Sequence, residues 1–183
     1  SEHKFRISGS EKLSITSDGY IKVSGDQGNS DYYGKIYNRS DGFSFHAADG
    51  SVARNITFYS GAATSTERLR ITSGGNIGVG IESPDGNLHV HNSSAGSVTA
   101  ATDANELVLE SAANVGMSFL TANNSLSRIK FGDPDASNAG IIIYSHADDS
   151  LRFQHTSNER LRIGNAGQLG IAGANYGSSG QVL

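Results

Sequence analysis

A chain of 183 residues suits one ordinary domain or a string of smaller β units, and its net charge of −4, spread without clustering, offers no basic patch for nucleic acid. With 23 glycines, 27 serines and 14 asparagines the chain favours turns over long helices, and the absence of cysteine excludes disulfides, thiolate zinc sites and thiol nucleophiles. No apolar run approaches the roughly 18 residues of a membrane span and the N-terminus carries no signal-peptide core, so a soluble chain without membrane insertion is expected.

In chain order, the first element is Glu11-Lys12-Leu13-Ser14-Ile15, followed across Thr16–Gly19 by Tyr20-Ile21-Lys22-Val23. Apolar residues alternate with polar ones, the period of a strand with one buried face. A loop over Asp26–Ser30 leads to Tyr37 and then to Phe43-Ser44-Phe45, an apolar-x-Phe strand after a polar turn. The first motif then returns as Glu67-Arg68-Leu69-Arg70-Ile71, with Ile77-Gly78-Val79 after its turn. Ser83–Asn87 and Asn92–Asn105 read as connectors on either side of Leu88-His89-Val90-His91. A second apolar-x-Phe strand, Leu151-Arg152-Phe153, follows Tyr144 and precedes the third copy, Glu159-Arg160-Leu161-Arg162-Ile163 with Leu169-Gly170-Ile171. Ala172–Gly180 reads as a strand-poor connector. The repeat is therefore E-[RK]-L-x-I, a turn, and a second alternating strand.

If each copy is a hairpin, Ile71 must oppose Ile77, because opposite residues share a face. Only a three-residue loop, Ser73-Gly74-Gly75, gives that register, and such a loop places glycine in the left-handed region at its third position. Gly19, Gly75 and Gly167 occupy that place. The repeat residues are thus Leu13, Ile15, Gly19, Ile21 and Val23; Glu67, Leu69, Ile71, Gly75, Ile77 and Val79; and Glu159, Leu161, Ile163, Gly167, Leu169 and Ile171. Leu, Ile, Val and Phe total only 40 residues, too sparse for a comfortable core in one chain, so self-association is expected to supply the missing burial.

Candidate chemistry is thin. No G-x-S-x-G elbow occurs, and Gly28 to Lys35 is one residue too long for a phosphate loop. Asp133 with Asp135, and Asp148 with Asp149, are the carboxylate pairs to weigh for glycan cleavage, but both fall in turns where aspartate serves local hydrogen bonding. Asp133–Asn138 spaces oxygens like the start of a calcium loop yet lacks its glycine and late glutamate. His89 and His91 share one side of a strand, and on a threefold axis six such nitrogens suit an octahedral metal. Leu88 and Val90 are the more natural core pair, which leaves the histidines toward solvent, so no metal and no cofactor is assigned. Arg68, Arg70, Arg160 and Arg162 lie opposite the Leu and Ile positions, where Glu67, Glu159 or a neighbouring chain's aspartates are their expected partners. Tyr32 and Tyr33 read as packing at a strand edge, with sugar stacking the alternative.

The strings E-R-L-R-I-T-S-G-G-N-I-G-V-G and S-P-x-x-x-L-H-V at Ser83–Val90 resemble repeat segments of bacteriophage tail fibre proteins, as do I-K-F-G-D at Ile129–Asp133 and Y-G-S-S-G-Q-V-L at Tyr176–Leu183. The resemblance implies an elongated homotrimer whose strands intertwine or stack about a threefold axis, of the kind found upstream of a C-terminal self-cleaving chaperone domain. It also implies other tail fibre or baseplate proteins, and a host surface glycan or protein, as partners. The expected fold is all-β, with repetitive short strands and hairpins in a triple β-helix or β-prism-like trimer. The units are residues 1–25, 26–82 and 83–175, with a connector at 176–183. The expected function is a non-enzymatic structural segment of the virion's fibre, outside the host cell. A carbohydrate-binding adhesin module and a tailspike glycan depolymerase are the alternatives. A start at Ser1, with Met117 the only methionine, is expected of a fragment or processed product.

Overall fold

The computed structural model describes residues 3–7, 10–15, 20–24, 32–39, 42–49, 52–61, 66–171 and 174–176. Every helix or strand among them is a strand: the fold is all-β. The chain divides into two units, Ser1–Gly116 and Met117–Leu183. The first unit holds two sheets. One runs β1 (His3–Ile7), β2 (Ser10–Ile15), β3 (Tyr20–Ser24), β4 (Tyr32–Arg39), β5 (Gly42–Asp49) and β6 (Val52–Ala53), all antiparallel in chain order. The other joins β7 (Ile56–Ser60), β8 (Thr66–Ile71), β9 (Ile77–Val79), β10 (Leu88–His91) and β11 (Leu107–Glu110). The second unit is an antiparallel meander of β12 (Leu126–Phe131), β13 (Gly140–Ser145), β14 (Ser150–His155), β15 (Asn158–Ile163), β16 (Leu169–Ile171) and β17 (Ala174–Tyr176).

These sheets cut across the units drawn from sequence. β3 and β4 flank residue 25 and pair with each other, and β9 and β10 flank residue 82 and do the same. β17 lies inside the stretch expected to be a strand-poor connector. The alternation of its neighbours extends one strand further than the glycines and serines suggested.

Each copy of the repeat has the register that alternation requires. Ile71 pairs with Ile77 and Leu69 with Val79; Ile163 pairs with Leu169 and Leu161 with Ile171; Ile15 pairs with Ile21 and Leu13 with Val23. In the second copy Thr72 N–H bonds Asn76 O at 2.8 Å and Gly75 N–H bonds Thr72 O at 2.9 Å, closing a three-residue loop. Gly75 has φ +93° and Gly167 has φ +81°, the left-handed conformation such loops need at that place. Gly19 lies outside the described residues.

A third strand belongs to every copy. β1, β7 and β14 each carry a phenylalanine, Phe5, Phe58 and Phe153, two residues after His3, Ile56 and Leu151, and pair with the E-[RK]-L-x-I strand. For the second copy this strand is Ile56-Thr57-Phe58. Phe43-Ser44-Phe45, the apolar-x-Phe stretch read ahead of that copy, pairs with β4. At the same point in all three copies the register slips by one residue: Phe5 opposes Leu13 but Arg6 opposes Glu11, Phe58 opposes Leu69 but Tyr59 opposes Glu67, and Phe153 opposes Leu161 but Gln154 opposes Glu159. Lys12, Arg68 and Arg160 are the extra residues. The [RK] of the motif is thus the residue of a β-bulge.

β9, β10 and β11 depart from the meander, because they run parallel: Leu88 pairs with Ile77 and with Leu107, Val90 with Val79 and with Leu109. Parallel neighbours ordinarily need a crossover of a dozen residues or more. Residues 80–87 manage with fewer because these strands are three and four residues long. The crossover passes so close to the next that a Cβ on Gly86 would lie 1.8 Å from Asn105 O. Asn87 N–H bonds that same carbonyl at 2.9 Å and Leu88 N–H bonds Glu106 O at 3.0 Å.

Candidate functional site

The registers line apolar residues up in rows. On the sheet of β7 to β11, one row is Ile56, Ile71, Ile77, Leu88 and Leu107, and the next is Phe58, Leu69, Val79, Val90 and Leu109. All ten point to one face, since alternate residues of a strand share a side. On the third sheet the rows are Ile129, Ile142, Phe153, Leu161, Ile171 and Ala174, then Ser127, Tyr144, Leu151, Ile163, Leu169 and Tyr176. On the first sheet Ile15 opposes Ile21, which opposes Ile36, and Phe5, Leu13, Ile15 and Ile21 are exposed.

These rows are not cores of their own chain. Phe58 is 51% exposed, Leu107 49%, Phe153 36% and Ile171 46%. Among the described residues the only buried apolar side chains are Ile141 and Ile143, on the opposite side of their strand from Ile142. The repeat residues expected to be buried thus form continuous faces that one chain leaves half open.

The opposite faces are mostly polar, Ile141 and Ile143 apart, and the bulge explains the pairing of their charges. In a regular strand residues i and i+3 point to opposite sides. The extra residue resets that parity, so Glu67 comes round to the side of Arg70 and Glu159 to that of Arg162. Arg70 Nε and Nη2 each donate to the Glu67 carboxylate at 2.7 Å, and Arg162 Nη2 donates to Glu159 Oε2 at 2.8 Å. Arg70 and Arg162 thus find within the chain the glutamates expected from sequence, whereas Arg68, the bulge residue, donates to Ser60 Oγ at 3.1 Å. The Arg70 guanidinium holds the Glu67 carboxyl below the usual carboxylate range, and Tyr59 O–H adds to the effect.

Asp148 extends this bracket on the third sheet. Arg152 binds it closely, Ser150 Oγ donates to it at 2.9 Å, and Arg162 Nη1 stands 3.5 Å away. Bonding from Ser145 first, then from Ser150 and Arg152, lowers its pKa from 3.8 to about 2. A glycosidase needs one carboxyl raised to act as acid, and Asp148 is shifted the other way. Asp149 accepts from Tyr144 O–H at 3.4 Å. Asp133 Oδ1 accepts from Asp135 N–H at 3.0 Å and Ala136 N–H at 2.7 Å, the local turn role read from sequence, which engages the oxygen a calcium loop needs. Tyr32 and Tyr33 lie in β4, and their side chains are outside the described residues.

A depressed carboxyl pKa contributes stability above its unfolded value, and that stability is lost as pH falls through the folded value. For Asp148 the window runs from about 4 down to about 2. The thermal midpoint is expected to fall as pH drops through this window, and Asp148→Asn to lower the midpoint at pH 5 while flattening the fall. An unchanged acid limb in that variant counts against the bracket.

His89 and His91 correct the reading of their strand. His89 is fully buried and Val90 is 39% exposed, so the histidine side, not the Leu88 and Val90 side, is the one this chain covers. The covering comes from the parallel crossovers. Asp85 N–H donates to His89 Nδ1 at 3.2 Å, and Glu110, beside His91 on β11, places Oε2 3.1 Å from His89 Nε2. Nδ1, as acceptor, carries no proton, so the neutral ring carries it on Nε2. That N–H points off the line to Glu110, so the contact is electrostatic and not a formed hydrogen bond. His91 Nδ1 donates to Gly80 O at 3.2 Å, and its Nε2 is 4.0 Å from Glu110 Oε1. Ala95 N–H, the first cause, and the two histidines hold the Glu110 carboxyl below its usual range.

A metal does not suit this set. A histidine ligating through Nε2 needs Nδ1–H to donate outward, whereas Nδ1 of His89 already accepts a backbone N–H. The cluster instead pins the crossover at Asp85 and the loop at Ala95 to the strand between them. The Ala95 loop and β11 also border a cavity of about 220 Å³ with Asp85, Glu110, Val98 and Val115 in its wall.

No protein-family model matches this chain, and no curated protein matches it. The functional reading therefore rests on the faces and brackets themselves.

Proposed function

We propose that the chain is a non-enzymatic structural segment of a homotrimeric viral tail fibre, projecting from the virion outside the host cell and supporting attachment to the host. The observation that carries the proposal is the pair of unbroken apolar rows left part-open on one side of the β7–β11 sheet, with near-continuous apolar rows on the sheet of β12 to β17.

Covering ten side chains, five exposed and five partly so, contributes on the order of 1 kcal/mol each at most. Association costs roughly 4–15 kcal/mol. One sheet per chain therefore leaves the balance near zero, whereas two or three sheets per chain tip it firmly toward assembly. Three faces turned toward one axis close a prism in which no apolar row remains open. The resemblance of E-R-L-R-I-T-S-G-G-N-I-G-V-G and its companions to tail fibre repeats supports three chains and the place on the virion.

A screen of the assembled segment against an array of host-surface glycans tests the functional half of the proposal. A shaft segment is expected to show no retention above an unrelated trimer. Selective binding to one glycan class, abolished by substituting exposed side chains, makes the chain an adhesin module instead.

A further inference from the structure

The geometry points to Met117–Thr121 as a strand that pairs with the free edge of β12 in a second copy of the chain. Residues 114–121 make no hydrogen bond among the described residues, and all are exposed. Met117 is 54% exposed, Phe119 46% and Leu120 92%. A run of unpaired backbone donors and acceptors in which Val115, Met117 and Phe119 alternate on one side, with Leu120 on the other, is suited to a strand that lacks its sheet. β12 ends its own sheet, so one edge of it is open, and Ile129 and Phe131 on it are exposed.

The nearest edge belongs to the same chain, and the turn between rules it out. Ser125 N–H bonds Ala122 O at 3.0 Å, which closes a tight turn over residues 122–125. Carried outward, that turn sets Phe119 against Arg128 and Met117 against Lys130. Ile129 and Phe131 occupy the other face, with Ile142, Phe153 and Leu161. That register sends Met117 and Phe119 to the side away from Ile129 and Phe131, with Leu120 alone on theirs, and the structure leaves this hairpin unformed. A β12 edge from another copy carries no such constraint, so Met117 can stand opposite Ile129 and Phe119 opposite Ser127. Each chain then offers one bare strand and one open edge, a head-to-tail contact that in a homotrimer closes into a ring of three. The inference rests on the homotrimer reading and names the strands that link its chains.

The chain has no cysteine, which makes the test clean. In the paired register Ser118 faces Arg128, close enough for a disulfide. Chains carrying Ser118→Cys and chains carrying Arg128→Cys, with different tags, are co-expressed, assembled and mildly oxidised. Peptide mapping is expected to find the 118–128 disulfide linking the two tags, and light scattering to give an unchanged assembly mass. An intact assembly without that disulfide overturns the inference and leaves the homotrimer standing, whereas a monomeric mass removes both. A chain carrying both Ser118→Cys and Ile129→Cys provides the control, because those two positions oppose one another in the intrachain hairpin: a disulfide formed mainly within that chain returns Met117–Thr121 to its own hairpin and also overturns the inference.

Discussion

Val79→Asp is expected to reduce the assembly to single chains, or to prevent folded protein from accumulating, while Thr57→Asp leaves it intact. Val79 stands mid-row between Leu69 and Val90 and is 36% exposed in the single chain, so a carboxylate there stays hydrated while the chain is alone. Once faces meet, the charge is buried without a partner, at a cost of at least several kcal/mol per chain. About 4 kcal/mol already weakens association roughly a thousandfold. Thr57 lies on β7, two strands away and on the other side of the sheet, opposite Arg70, where a carboxylate meets a cation. Sedimentation of the two variants at equal concentration decides the matter. A Val79→Asp chain that keeps the parent's mass and thermal midpoint means the rows are not the interface.

The second large effect is expected at Gly86. A methyl group there meets the carbonyl oxygen of Asn105 at 1.8 Å, and because that atom is backbone it cannot swing aside. Relief requires the two crossovers to separate, which breaks the bonds from Asn87 N–H and Leu88 N–H and draws β11 away from β10. Glu110 then leaves His89, and a buried imidazole loses its neighbour. Gly86→Ala is expected to cost about 3 kcal/mol or more, in the range of severe core changes. Gly75→Ala supplies the contrast. A Cβ at Gly75 meets nothing within 4 Å, so only the φ of +93° resists it, at about 1 kcal/mol. Denaturant titrations of the two variants should rank them in that order, and equal losses contradict the close-approach account.

Alternation and turn chemistry made much of this fold legible. Leu69, Ile71, Ile77 and Val79 specify a shared face, and the glycine at position 75 specifies the loop that lets them oppose one another. The bulge was not legible, because counting by twos assumes a regular strand. Under that assumption Glu67 and Arg70 fall on opposite sides, and the pairing that the extra residue creates disappears from view. The recurrence of Lys12, Arg68 and Arg160 between Glu and Leu was the available signal, since a cation kept at the same unpaired position suits a residue outside the ladder.

His89 shows a second limit. Periodicity divides Leu88-His89-Val90-His91 into two faces but does not say which of them the chain itself covers. Apolarity chose Leu88 and Val90, which fits the finished assembly as proposed, while the crossovers at Asp85 and Ala95 bury the histidine side locally. Both faces are then covered, one by the chain and one by its copies. The parallel pairing that achieves this joins residues separated by connectors, and no local pattern announces it.

The central claim, that the repeat leaves an apolar face for other copies to cover, is tested most directly by the solution mass from light scattering across a dilution series. The account predicts three chain masses, each of 19.1 kDa, with no cooperative thermal transition surviving in a dissociated chain. A stable, well-folded monomer at all concentrations contradicts it.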